Sequence, residues 1–149
     1  MPTLYTEIEI NASISKVWLV LFHKEHWVKW NTFLFDRDSS KPFKQGEEVN
    51  LSLWRTQGED ETEFEPTVTL IQPEICLAWV SQIPGFRSYH IFELQKIGFR
   101  RTKYVHREEF SGWLTRLFLP FIKQDEQKGM ERMAGELKRY LENGLNYYK

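Results

Sequence analysis

Cysteine is nearly absent: Cys76 stands alone among 149 residues. A single thiol excludes an internal disulfide and any cysteine-based zinc site, and its place between Ile75 and Leu77 reads as an inert buried or sheet-facing side chain. Net charge is nearly absent as well, since 20 Lys plus Arg stand against 21 Asp plus Glu, for a formal charge of -1. That removes the basic footprint that nucleic acid or an anionic membrane requires, so no nucleic-acid partner is expected. No run reaches the roughly 18 apolar residues of a membrane span, and Met1 to Ile10 has no basic region followed by an apolar one, so a cytoplasmic protein is expected. A Gly-rich phosphate loop, a Gly-x-Ser-x-Gly elbow and a dinucleotide fingerprint are all missing, and no cofactor is expected. There is no repeat, linker or low-complexity tract. With 41% hydrophobic and 28% charged residues, the chain falls within the range of folded domains, and residues 1–149 read as one.

What the chain has in quantity is aromatic side chains: 6 Trp, 6 Tyr and 11 Phe make up 15% of it, enough rigid surface for a large core or the walls of a pocket. Leu4 to Ile10 alternates with period two, Leu4, Thr6, Ile8 and Ile10 on one face and Glu7 and Glu9 on the other, which predicts a half-buried strand. Asn11-Ala12-Ser13 interrupts it, and Ser15 is the expected N-cap of a short helix over Val17 to Phe22. A second helical piece carries Trp27 and Trp30. From Gly46 the turn signals crowd together, at Gly58, Pro73-Glu74, Pro84-Gly85 and Ile97-Gly98. The intervening segments, Glu48 to Arg55, Thr62 to Gln72, Ile75 to Ser81, Phe86 to Leu94 and Arg101 to Phe110, have strand length. Connections this short imply an antiparallel meander. Beyond Gly112 the period changes. Met130, Met133, Ala134, Leu137, Tyr140 and Leu141 share one stripe of a long helix, which Pro120 either starts or kinks and Gly144 ends as a C-cap. Lys123 to Lys128, with Glu131 and Arg132, reads as that helix's solvated face, without a binding role. A sheet with one apolar face and one long helix to cover it predicts an α+β domain, curled round the helix, with a pocket between them.

The best-defined hairpin turns at Ile97-Gly98. Its ring-rich faces, Phe86, Ser88, His90, Phe92 and Leu94 on one strand and Thr102, Tyr104, His106, Glu108 and Phe110 on the other, are expected to point inward. A register centred on Gly98 puts His90 opposite His106, with Glu108 one step further on. Such a group can orient the polar end of a ligand, transfer protons, or satisfy itself by hydrogen bonds and specify the core. His23 and His26 share a helical face, but no third ligand or His-Glu-x-x-His pattern accompanies them, and no metal site is expected. Trp30, Trp54 and Trp79 are candidates for the pocket or its rim, against the alternative that they are plain core.

Several segments, taken in order, resemble one family. They are Ile8-Glu9-Ile10-Asn11-Ala12-Ser13-Ile14-Ser15-Lys16-Val17-Trp18, Trp27-Val28-Lys29-Trp30-Asn31, Leu77-Ala78-Trp79, His90-Ile91-Phe92-Glu93-Leu94, His106-Arg107-Glu108-Glu109-Phe110-Ser111-Gly112 with Thr102 before it, and Leu137-Lys138-Arg139-Tyr140-Leu141-Glu142. Together they resemble the polyketide cyclase/dehydrase and lipid-transport family of the START-like, helix-grip superfamily, over nearly the whole chain. The resemblance implies a seven-stranded antiparallel curved sheet, two short helices closing one end, and a long C-terminal helix over a hydrophobic tunnel. Gly46 and Glu108-x-Phe110-x-Gly112 fit that pattern; Asp36, Arg37 and Asp38, in the second-strand region, depart from it. The expected partner is a small hydrophobic molecule, such as a lipid, an isoprenoid or a polyketide-like ring compound. Its expected contacts are Trp30, Leu53, Trp79, His90, Phe92, Tyr104, His106, Glu108, Met130 and Met133. The alternatives are an enzyme of the cyclase or dehydratase type and a protein-interaction module.

Overall fold

A computed structural model describes residues 2–56 and 60–143. The expected turn at Gly58 and the expected cap at Gly144 lie outside the described residues. Strand β1, Thr3–Ile10, leads into helix α1, Ile14–Phe22. The cap of α1 is Ser13 rather than Ser15: Ser13 has extended backbone, and its hydroxyl accepts from the Lys16 N–H. Ser15 falls inside the first turn and donates instead to Glu74 Oε1 at 2.6 Å. A short 3-10 helix, Lys24–Lys29, follows, and Trp30 closes it.

Strands β2, Leu34–Asp36, β3, Leu51–Leu53, and β4, Thr62–Phe64, form a three-stranded sheet. Strands β5, Thr67–Gln72, β6, Cys76–Ile83, β7, Phe86–Gly98, and β8, Arg101–Ser111, pair with β1 in a five-stranded sheet of order β1-β8-β7-β6-β5. All pairings are antiparallel. Among the described residues there are eight strands where seven were expected, because Thr62 to Gln72 is split at Glu65-Pro66: proline brings no N–H to a ladder. The sheets remain joined, since Glu48 bridges Thr67 and the Val49 N–H donates to the Pro66 carbonyl. The departure at Asp36 has a partner. Lys24, buried in the 3-10 helix, donates to Asp36 Oδ1 at 2.6 Å and to the Asp38 carbonyl, so the charge closes that end.

Helix α2, Thr115–Asn143, runs through Pro120 without ending. The proline sits in the second turn, where only one backbone bond is lost. Its buried stripe, Gly129, Met130, Met133, Ala134 and Leu137, faces the sheet. Trp79 is at the centre of the interior, with Phe43 stacked on it at 5.5 Å, Phe92 at 5.0 Å and Trp27 at 6.4 Å between ring centroids. Phe33 lies directly on Gly129, where a Cβ would strike its ring. The middle of the molecule is therefore packed with aromatic rings, and one stretch of open space lies toward the end that carries the β6–β7 turn. No helix among the described residues is long and apolar enough to cross a membrane.

Candidate functional site

That end is shaped by the turn joining β6 to β7. Pro84 has its φ fixed by its ring and Gly85 takes φ +83°, so two residues reverse the chain. The Leu114 N–H donates to the Gly85 carbonyl at 2.8 Å and fastens the start of α2 to the turn. Between this corner and the three-stranded sheet lies a cavity of about 230 Å³. Leu53, Phe64, Ile83, Phe86, Phe110 and Ile122 supply apolar wall, and Ser88, His90, Glu108, Glu126 and Arg55 supply the polar side.

The polar side is a buried chain of contacts. The Arg55 Nε–H donates to Glu126 Oε1 at 2.8 Å. Glu126 stands beside Glu108, with one carboxylate oxygen of each and a ring nitrogen of His90 all within 4.8 Å of one another. Glu108 Oε2 accepts from Ser88 Oγ at 2.5 Å and lies 3.1 Å from His90 Nε2. His90 Nδ1 lies 2.9 Å from His106 Nε2. If His90 donates through Nε2 to the carboxylate, its Nδ1 accepts from the His106 Nε2–H, which leaves His106 Nδ1 without a proton. Neither His106 Nδ1 nor Glu108 Oε1 has an N–H or hydroxyl partner. Tyr104 and Trp79 also bury unpaired polar atoms, the Tyr104 hydroxyl and Trp79 Nε1.

Burial controls the protonation of these groups. It lowers His90 to about 4, and it holds His106 well below the ordinary imidazole value, helped by repulsion from His90. Both rings are neutral at pH 7. Burial raises Glu108, and it raises Glu126 well above the usual carboxylate range, with the neighbouring Glu108 charge adding to the effect. Burial beside a second acid therefore favours the protonated form of Glu126, and Arg55 supplies the counter-charge next to the pair.

Of the ten residues expected to contact a ligand, Leu53, His90 and Glu108 line this cavity. Trp79, Phe92, Tyr104, His106, Met130 and Met133 are fully buried, with His106 behind His90 and stacked on Phe92 at 4.1 Å. Trp30 is buried elsewhere, stacked against Tyr140. Trp54 packs beside Phe35. The hairpin register differs from expectation by one pair. Glu108 faces His90 and Phe92 faces His106: the chain reverses over Phe99 and Arg100 rather than at Gly98, and a bulge between Lys96 and Gly98 then shifts the pairing by one residue. The inward faces survive, since a shift of two in the pairing sum preserves the period of two.

Glu126 corrects the reading of Lys123 to Lys128 as purely solvated: its side chain is buried. Glu126, Met130, Met133 and Leu137 are spaced at i, i+4, i+7 and i+11, so extending the apolar stripe back one turn was the available signal. Arg132 is also engaged, donating to the carbonyls of Thr32, Trp54 and Arg55. Arg55 and Ser88 had no such signal beyond the inward parity of Ser88. Cys76 is buried, and burial raises its thiol. His23 and His26 are exposed.

No model of a known family matches the sequence, and no curated protein sequence does. The likeness is in three dimensions. A START superfamily protein from Mycobacterium smegmatis superposes with a TM-score of 0.71 over 95% of this chain and 97% of its own, at 16% identity. The chain has a START-like fold. Two other structures with this START-like architecture come from biosynthetic systems. DynU16, from the dynemicin biosynthetic locus, gives a TM-score of 0.70 at 18% identity, over 95% of this chain and 48% of its own. The di-domain ARO/CYC protein BexL, from the BE-7585A pathway, gives 0.68 at 11% identity, over 95% and 47%. This START-like chain spans about half the length of each of those two. At such identities the likeness concerns the fold.

Proposed function

We propose that the protein encloses one small, mostly apolar molecule in the cavity beside the Pro84-Gly85 turn, with a hydrogen-bond donor on the molecule meeting Glu108. The observation that carries this reading is the pairing of apolar walls with a buried acceptor, Glu108 Oε1, that no protein N–H or hydroxyl reaches. Size narrows the class. A volume of about 230 Å³ falls below the roughly 300–1,000 Å³ of sites for drug-sized ligands, which favours a compound of one or two rings over a long-chain lipid. Covering about 200 Å² of such a ring system contributes about 5 kcal/mol before association costs. The START-like fold, shared with structures from biosynthetic loci, is in keeping with a carrier or sensor of this kind. Native mass spectrometry of freshly purified protein, followed by solvent extraction, tests it. The expected result is a one-to-one adduct with a small lipophilic compound; a bare chain that takes up no ring compound from an added panel contradicts it.

A second reading is an enzyme of the cyclase or dehydratase type. It draws on the buried acids Glu108 and Glu126, both raised by burial, with the neutral His90 and His106 behind them, a donor-acceptor series beside a bound ring. Conversion of a bound polyketide-like compound, lost in Glu108→Gln, is its expected outcome; stoichiometric binding without conversion counts against it. The protein-interaction reading draws on Trp113, Leu117 and Phe121, spaced four apart and all exposed at the start of α2. Concentration-dependent self-association that Phe121→Ser abolishes supports that reading, and a strictly monomeric wild type counts against self-docking there.

A further inference from the structure

The side chains of His90, Glu108 and Glu126 come from three different elements, β7, β8 and α2, and converge on one point of the cavity wall. One ligating atom from each lies within 4.8 Å of the other two. We propose that these three residues form a binding site for one divalent first-row transition metal ion, with its open side toward the cavity. The inference stands apart from the organic-ligand reading, because the metal is read with no organic compound present.

The donor set fits this class of ion. One imidazole nitrogen and two carboxylates suit Zn2+, Mn2+, Fe2+ or Co2+, whereas Ca2+ and Mg2+ sites are built from oxygen alone. Metal–ligand bonds of about 2.0–2.1 Å place ligand atoms about 3.3 Å apart in a tetrahedral site. His90 Nε2 and Glu108 Oε2 are already 3.1 Å apart, and the three ligating atoms together close from within 4.8 Å. Glu108 supplies an independent sign of a missing partner, since its residue is 2% exposed and its Oε1 has no N–H or hydroxyl donor.

The surroundings supply what metal sites need beyond their ligands. A metal-binding histidine usually donates its other ring N–H to a fixed acceptor, and His106 Nε2 stands 2.9 Å from His90 Nδ1 to receive it. The ring tautomers invert for this. His90 releases Nε2 to the ion and carries its proton on Nδ1, while His106 carries its own on Nδ1, the nitrogen now without a partner. Ser88 orients Glu108 and Arg55 orients Glu126, each through one oxygen, Oε2 and Oε1 respectively. Any proton held on the two carboxyls leaves as H+ when the ion binds. Three protein ligands and a cavity beyond them leave one position for water or another small group, the pattern of metal sites that act on a substrate.

Zinc is the probe, since it needs no redox control, and the variant is Glu126→Gln, which keeps the shape of the side chain and its bond with Arg55. Isothermal titration of the metal-free full chain is expected to show one Zn2+ per chain with a dissociation constant at or below about 1 µM. Glu126→Gln is expected to weaken it at least 100-fold while staying folded, with the circular dichroism of the wild type, under the titration conditions, and His106→Phe by about 10- to 100-fold. Surface binding by the exposed pair is the competing source, so the double variant His23→Ala/His26→Ala is expected to bind as the wild type does. Co2+ in the wild type is expected to show the visible absorption of a low-symmetry protein site, absent in Glu126→Gln. No binding by the wild type, equal binding by Glu126→Gln, or loss of binding in the His23/His26 variant overturns the proposal.

Discussion

Arg55 and Glu126 meet at 2.8 Å on the cavity wall, and burial, with the neighbouring Glu108 charge, favours the protonated form of Glu126 over a second buried negative charge. Gln in place of Glu126 preserves both contacts, its carbonyl accepting from Arg55 and its amide donating to Glu108. Glu126→Gln is therefore expected to stay within about 1 kcal/mol of wild type at pH 5, whereas Arg55→Ala, which leaves the acids without their counter-charge, is expected to cost about 1–3 kcal/mol by urea denaturation. pH separates the contributions. A carboxyl raised in the folded state contributes its stability in full below its unfolded value and loses it as pH rises through the raised one, so the wild type weakens on the alkaline side. Glu126→Gln removes that loss and is expected to gain on the wild type between pH 5 and pH 8; a difference independent of pH contradicts the raised Glu126 carboxyl. His90 acts in the opposite direction. With a folded value of about 4 against an unfolded 6.5, it lowers stability as pH falls from 6.5 toward 4, by an amount on the order of 3 kcal/mol at the acid end. At this scale, the inward parity of His90, His106 and Glu108 was legible from period two alone, and their partners were not. Arg55 follows β3 with no periodic signal, and Glu126 was hidden by the charged residues on either side of it.

Element by element, the order strand, short helices, meander and long helix was readable because each element repeats one pattern over enough residues. The boundaries failed where a local contact outweighed the pattern. Pro66 divides one expected strand into β4 and β5, Ser13 caps α1 ahead of Ser15, and the β7–β8 reversal falls on Phe99-Arg100 with a bulge after Lys96 that shifts the register. The fit of α2 to the sheet depends on one missing side chain. Phe33 occupies the space a Cβ at Gly129 would need. Alanine ordinarily favours a helix over glycine by about 1 kcal/mol, yet Gly129→Ala is expected to destabilise by about 1–3 kcal/mol through overpacking. Thermal and urea unfolding check the sign. Phe33→Leu in the same chain is expected to recover part of the loss, and a Gly129→Ala protein more stable than wild type contradicts the contact.

For the molecule as a whole, aromatic abundance pointed equally to a filled core and to a pocket, and composition alone had no means of choosing. Both outcomes occur, in different places. Trp27, Phe43, Trp79 and Phe92 fill the centre, while the corner between the three-stranded sheet and the start of α2 keeps about 230 Å³ open against a polar wall. Which rings fill the interior depends on contacts between residues far apart in the sequence, as between Phe43 and Trp79, and no local pattern carries that information. The measurement that tests the account most directly is a fluorescence titration with 2-naphthol, two rings and one hydroxyl donor, with naphthalene as the comparison and Ile122→Trp as the filled cavity. The account predicts one 2-naphthol per chain, bound more tightly than naphthalene, and loss of both in a folded Ile122→Trp protein. Binding that survives in Ile122→Trp, or a wild type that takes up neither compound, contradicts it.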